Sequence, residues 1–187
     1  IIAREGPRGF YEGEISNLIV SEMCSSGGII TKEDLAAYAT EEREPVRGDY
    51  RGFGIISAPP PSSGGAILVE ILNVLERFDL SSMDFYSDGA IHLIVEAERR
   101  GFADRARHLG DPDFVEDATP FLTSKPYARA LAATIAPRAT PSATVGDAAA
   151  PDREKRETTH FSVVDRRGNA VATTVTLNDS YGSRLVV

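Results

Sequence analysis

The run TTHFSVVDRRGNAVATTVTL, residues 158–177, constrains the fold of this chain more than any other stretch. Residues alternate from its first position. Thr159, Phe161 and Val163 point one way and Thr158, His160 and Ser162 the other, the period of a β-strand. A second alternating segment, AVATTVTL, follows after DRRGN. Pairing Asp165 with Asn169 leaves Arg166, Arg167 and Gly168 as a three-residue hairpin loop, with Gly168 where left-handed backbone is required. Carried outward, this register sets Val164 against Ala170, Ser162 against Ala172, His160 against Thr174 and Thr158 against Thr176. Directly opposed residues have Cβ atoms about 4.5–5.5 Å apart, near enough for two hydroxyls to hydrogen-bond. Asn178 points to the same face, so Thr158, Thr176 and Asn178 collect at one end of the hairpin. A slip of one residue would scatter them.

A threonine hydroxyl is a poor nucleophile at its own pKa and needs a base beside it. A chain cut before Thr158 would supply one. The freed α-amino group has a reference pKa of about 7.7–8.0, close to working pH. Thr176 would then hold the Thr158 oxygen in place. The alternative is an ordinary hairpin, in which threonine is simply a good β-former. What precedes Thr158 suits a cut. Residues 136–157, APRATPSATVGDAAAPDREKRE, contain no aromatic residue, no Leu or Ile, and a single Val. Such a stretch buries too little to offset an ordering entropy of about 1–2 kcal/mol per residue. It reads as an exposed, mobile tether.

Upstream, helical spacing of Phe10, Tyr11, Ile15, Leu18, Ile19 and Met23 predicts a helix over 9–24 ended by Gly27-Gly28. Thr31 and Asp34 form a loose capping box. Tyr50, Phe53, Ile55 and Ile56 suggest extended structure, which Pro59 to Pro61 must stop. Ser62 or Ser63 then caps a helix with a stripe of Ile67, Leu68, Ile71, Leu72 and Leu75. A longer helix is predicted from Asp88 to His108, and Ser124 with Pro126 opens a last one reaching Ile135.

The composition, 42% apolar and 26% charged, is that of a folded globular chain. A net charge of −8 disfavours nucleic acid and anionic membrane surfaces, leaving a small-molecule substrate. No run approaches the roughly 18 apolar residues of a membrane span. Cys24, the single cysteine, excludes an internal disulfide and a cysteine metal site, and its place on the apolar side of a helix predicts a buried small hydrophobe. The start at Ile1 without Met and the stop straight after RLVV suggest part of a longer protein.

Residues 158–182, TTHFSVVDRRGNAVATTVTLNDSYG, resemble the opening of the small subunit of γ-glutamyltranspeptidases. The Thr-Thr-His start, the Gly168-Asn169 turn, the Thr174-x-Thr176-Leu177-Asn178 run and Tyr181-Gly182 carry the likeness. The upstream blocks GGIITKEDLAAY, YRGFGIISAPPPSSGG, ILNVLERFDL and ADRARHLGDPDF resemble the second half of that family's large subunit. The resemblance implies an α/β (α+β) N-terminal nucleophile hydrolase fold, an αββα sandwich of which this chain holds a part. It implies large-subunit residues 1–135, a tether 136–157 and small-subunit residues 158–187. It implies self-cleavage between Glu157 and Thr158, with Thr158 as nucleophile and base, Thr176 holding its hydroxyl, and Asn178 helping to hold the α-amino end of the glutamyl group. A γ-glutamyl donor such as glutathione, and water or an amino acid or peptide amine as acceptor, are the implied partners, with no cofactor and no metal. The remaining segments of the same precursor are partners too, because an α-carboxylate arginine should precede residue 1. Glutamine, aspartate, paired serines and oxyanion-hole glycines should follow residue 187. The fragment alone is therefore expected to be inactive. The family also implies a periplasmic, secreted or surface location.

A sibling acylase acting on cephalosporin side chains would use the same threonine chemistry, and a non-catalytic relative would keep the hairpin without processing. PPPSSGG, residues 59–65, invites a catalytic-serine reading of Ser62 or Ser63, but the G-x-S-x-G elbow is absent and a helix cap with a rigid turn is the better expectation. His160 reads as a structural hydrogen-bonding residue, and His92 and His108 as structural or exposed. The charges of EAERRGFADR read as a solvated helix face, and LGDPDF as a turn. Arg184, where family members often carry a small residue, is either a substrate-side variant or a surface one.

Overall fold

A computed structural model of the chain describes residues 1–146 and 158–176. Two compact units divide it, one made of Ile1–Glu41 with Arg153–Val187 and the other of Glu42–Asp152. Among the described residues no helix is long and apolar enough to cross a membrane.

The first unit opens with two single-turn helices, α1 (Ile2–Glu5) and α2 (Arg8–Tyr11), and a longer one, α3 (Gly13–Ser26). The single helix predicted over 9–24 is thus broken. Glu12 is extended, at φ −131° and ψ 161°, and the chain restarts behind it. The stop at Gly27 is as expected: its N–H and that of Gly28 both bond to the Met23 carbonyl. Cys24 is exposed on α3, against the expectation of burial. The capping box opens α4 (Lys32–Ala37), with Asp34 N–H on Thr31 Oγ1 at 3.1 Å and Thr31 N–H on Asp34 Oδ2 at 2.8 Å. The Thr31 N–H and then the Thr31 hydroxyl, both donating to Asp34 Oδ2, hold the Asp34 carboxyl below its usual range.

In the second unit, β1 (Val46–Tyr50) and β2 (Phe53–Ser57) pair antiparallel, with Tyr50 opposite Phe53. Arg51 and Gly52, at φ 51° and 86°, make the tight two-residue turn that matches strand twist. Arg51 N–H reaches Glu76 Oε1 at 2.7 Å, and Lys125 Nζ bonds Glu76 Oε2 at 2.7 Å and the Asp49 carbonyl at 2.9 Å. Glu76 therefore sits below its usual pKa, chiefly through Lys125.

Helix α5 (Gly64–Leu75) is the centre of this unit, with the hairpin, α6 (Asp88–His108), α7 (Thr119–Leu122) and α8 (Lys125–Ala132) packed about it. The stripe predicted for α5 is too narrow. Ala66, Val69 and Val74 are buried as well as Ile67 and Leu75, while Leu68 is exposed. A helix covered on nearly all sides is hydrophobic nearly all round. Val74, Leu75, Leu93, Ala97, Ala128 and Ala132 form the core cluster.

Ser63 occupies the N-cap position of α5, but its side chain makes no capping bond. Its Oγ instead accepts from Arg105 Nε at 2.9 Å. The close contact at this helix start belongs to Gly65, where a Cβ would lie 2.1 Å from the Ala58 carbonyl oxygen. Backbone meets backbone there, so no rotamer change can relieve the clash. Gly65→Ala should destabilise the full-length protein by about 1–3 kcal/mol. Urea unfolding reads this directly, and an unchanged midpoint would mean that the two segments separate freely.

The face of α6 that read as solvated is partly interior. Glu96, Arg100 and Asp104, one helical turn apart, are 1%, 5% and 3% exposed. Arg100 Nη1 bonds Glu96 Oε2 at 2.7 Å, its Nε bonds Thr134 Oγ1 at 2.8 Å, and its Nη2 bonds the Thr134 carbonyl at 3.0 Å. Glu96 also accepts from Thr140, by Oγ1 at 2.6 Å and by the backbone N–H at 3.1 Å. The reading of a free tether from 136 is corrected on this point. Residues 136–146 hold to α6 through Thr140, through Ser142 on Arg99, and through the Ala136 carbonyl on His92 Nε2. A short helix, α9 (Ser142–Val145), follows. Most of these residues are exposed, as expected, and what ties them to α6 is a set of polar contacts, which a composition argument cannot see.

Candidate active site

The closing hairpin is β3 (Thr158–Val164) with β4 (Ala170–Thr176), and it belongs to the first unit. Asp165 builds its turn. The Asp165 N–H donates to the Asn169 carbonyl at 3.0 Å and Gly168 N–H donates to the Asp165 carbonyl at 3.1 Å, with Gly168 at φ 82°. The Asp165 carboxylate accepts Arg167 N–H at 2.8 Å, Asn169 N–H at 3.0 Å and the Asn169 side-chain amide at 2.8 Å. Together these bonds, that of the Asn169 side chain foremost, hold its pKa below the ordinary range. Such a turn admits one register, and the observed pairs run from Val164 with Ala170 to Thr158 with Thr176, as the spacing predicted. The Asp165–Asn169 pair exchanges a backbone bond, so alternation makes Thr158–Thr176 a non-hydrogen-bonded pair.

His160 is on the same face, one pair inward. Its Nδ1 lies 2.8 Å from Thr174 Oγ1, and Ser162 Oγ lies 3.3 Å from its Nε2. Both ring nitrogens are thus engaged along the hairpin, which fits a structural role. Of the expected site, Thr158 is placed by its strand position and Thr176 as its cross-strand neighbour. Glu157, Asn178 and Arg184 lie outside the described residues.

The other candidates do not assemble a site. Ser63 Oγ and Arg105 border an open cleft of about 240 Å³ with Pro61, Ala106 and Leu109. A guanidinium donating to a serine oxygen engages the lone pair that a nucleophile needs, the opposite of activation by a base. His108 sits 4.0 Å from Asp104 Oδ1 and edge-on to Phe121. In the LGDPDF turn, Asp113 holds Arg43 at 2.6 Å. Among the described residues no group of His, Cys, Asp and Glu is arranged to hold a metal ion.

Known proteins resemble this chain along its whole length. The family described as gamma-glutamyltranspeptidase matches residues 1–187. The glutathione hydrolase proenzyme of Escherichia coli is 49% identical over 187 residues, which are all of this chain and 32% of that protein. An acylase ACY 1 proenzyme from Pseudomonas sp. strain V22 is 41% identical over 98% of this chain and 32% of its own length. The crystal structure of Helicobacter pylori γ-glutamyltranspeptidase superposes with a TM-score of 0.74 at 43% identity, covering 83% of this chain and 45% of that one. The chain thus spans about a third of the length of the curated relatives it matches, and its mixed helices and strands are part of an N-terminal nucleophile hydrolase fold. It belongs to the γ-glutamyltranspeptidase family.

Proposed function

We propose that the protein containing this chain is a glutathione hydrolase and γ-glutamyltransferase that works through Thr158. The observation that carries this reading is the register setting Thr158 against Thr176, and the match of the whole chain to the family supports it. Relatives named proenzymes support a precursor form. In the first step the Thr158 hydroxyl adds to the Glu157 carbonyl, and the peptide C–N bond breaks as an ester forms. Water hydrolyses that ester, leaving Glu157 as a carboxylate and Thr158 with a free α-amine. The amine then takes the hydroxyl proton as Thr158 attacks the γ-carbonyl of the donor, and the departing amine is protonated. Water or an acceptor amine resolves the γ-glutamyl ester. Thr176 orients the hydroxyl and Asn178 binds the α-amino end of the glutamyl group. Oxyanion-hole donors are worth about 2.7–4 kcal/mol each, so residues 1–187 alone lack competence if those donors lie elsewhere in the precursor.

The acylase relative favours a second reading, in which the same threonine takes a different acyl group. Donor profiling of the purified full-length protein separates the two. The expected result is release of glutamate from glutathione and transfer of the γ-glutamyl group to an added dipeptide, with an acyl-cephalosporin turned over at least tenfold more slowly. The reverse preference would make the protein an acylase.

A further inference from the structure

Glu70 of α5 is 0% exposed, and neither of its carboxyl oxygens has an N–H or hydroxyl donor. What it meets is another carboxyl group, that of Asp104 on α6, 3% exposed and within hydrogen-bonding reach. Two buried carboxylates cannot both be ionised at such range without a large penalty, so one must keep a proton. Geometry decides which. Asp104 accepts the Tyr127 hydroxyl of α8 at 2.6 Å, which supports its charge. Asn73, one turn along α5, spends its amide on the Thr123 carbonyl at 2.7 Å and not on Glu70. Among the described residues Glu70 has no N–H or hydroxyl donor to stabilise an anion, and Asp104 is an acceptor to which it can donate.

We propose that Glu70 and Asp104 share one proton, carried by Glu70 and donated to Asp104, and that losing it loosens the joint between α5 and α6. Among the described residues no cation is paired with Glu70. On α6, Arg107 and His108 lie towards the Tyr127 and Asp104 side, His108 at 4.0 Å from Asp104 Oδ1. From α8 comes the neutral Tyr127 hydroxyl. Strand β1 turns buried Val46 inward, and its charged Arg47 and Asp49 are exposed. Burial first, and then Asp104, push Glu70 up to about 8. An acid whose folded pKa exceeds its unfolded value of about 4.5 gives full stability below that value. The contribution drains as pH rises towards 8 and changes no further above it.

The test compares thermal unfolding of the full-length wild type and Glu70→Gln across this range. Glutamine keeps the shape and can donate to Asp104 without a titrating proton. The wild-type midpoint should fall by several degrees from about pH 5 to about pH 8 relative to the variant, whose profile lacks this component. Infrared spectra of the wild type near neutral pH should retain a protonated-carboxyl C=O band that Glu70→Gln removes. Parallel stability profiles, or no such band in the wild type, would overturn the proposal. If the variant does not fold, the wild-type band should fade as pH rises through about 8, and a band absent near neutral pH or unchanged through that range overturns the proposal.

Discussion

Thr158→Ala in the full-length precursor should leave a single uncut chain and lower γ-glutamyl transfer at least a thousandfold. The same hydroxyl is used twice in the proposed scheme, first on the Glu157 carbonyl and then on the donor. Its removal therefore stops maturation and turnover together. The size follows from losing the nucleophile outright, an effect that in hydrolases of this logic exceeds the loss of any single positioning group. Intact mass measured after purification is the check. Wild type should give two pieces, the smaller beginning at Thr158, and the variant one. A wild type that stays whole while folded would sink the self-cleavage claim and favour a non-catalytic relative. Cleavage persisting in the variant would assign the nucleophile elsewhere.

Glu96→Ala should destabilise the protein by about 3–5 kcal/mol, because it strands the buried Arg100 guanidinium without its carboxylate. Thr140 loses both of its bonds in the same stroke. Burial disfavours the Glu96 anion, but the hydrogen bonds from Thr140, Arg100 and Arg99 outweigh it and bring its pKa down to about 2. For a carboxyl lowered in the folded state, the stabilisation is complete above about 4.5 and lost as pH falls towards 2. The variant should therefore be weaker than wild type near neutrality and converge with it in acid. Urea unfolding at several pH values measures the gap. A deficit below about 1 kcal/mol at neutral pH would place the pair among surface ion pairs.

Local rules carried the reading of the sequence where the deciding contacts are local. The β3–β4 register follows from Asp165, Gly168 and Asn169, all within one turn. The span of α6 is set by Ser87, whose side chain caps Ala90 N–H, and by the apolar spacing that follows. Ser124 caps α8 in the same way, on Tyr127 N–H. The β1–β2 hairpin was seen only as extended structure, because Arg51-Gly52 is not one of the usual turn pairs. Ser63 was assigned to its own helix, yet it bonds Arg105, which is remote in sequence. The largest omission is the polar seam on α6. Charged residues are read as outward by default, and nothing near Glu96 in sequence announces Thr140. One signal was available. Glu96, Arg100 and Asp104 fall on the same side of the helix as Leu93 and Ala97, which are plainly interior. Asn178 lies outside the described residues.

The seam on α6 also gives folding a proton balance that changes sign. Near pH 6 an unfolded chain carries Glu70 ionised, and the native state protonates it, so folding draws a proton from solution. Near pH 3 the unfolded chain carries Glu96 protonated, and the native state ionises it, so folding releases one. Between the two, close to pH 4.5, the uptake at Glu70 and the release at Glu96 are equal and cancel. That is where these two groups together contribute their maximum, well on the acid side of neutrality.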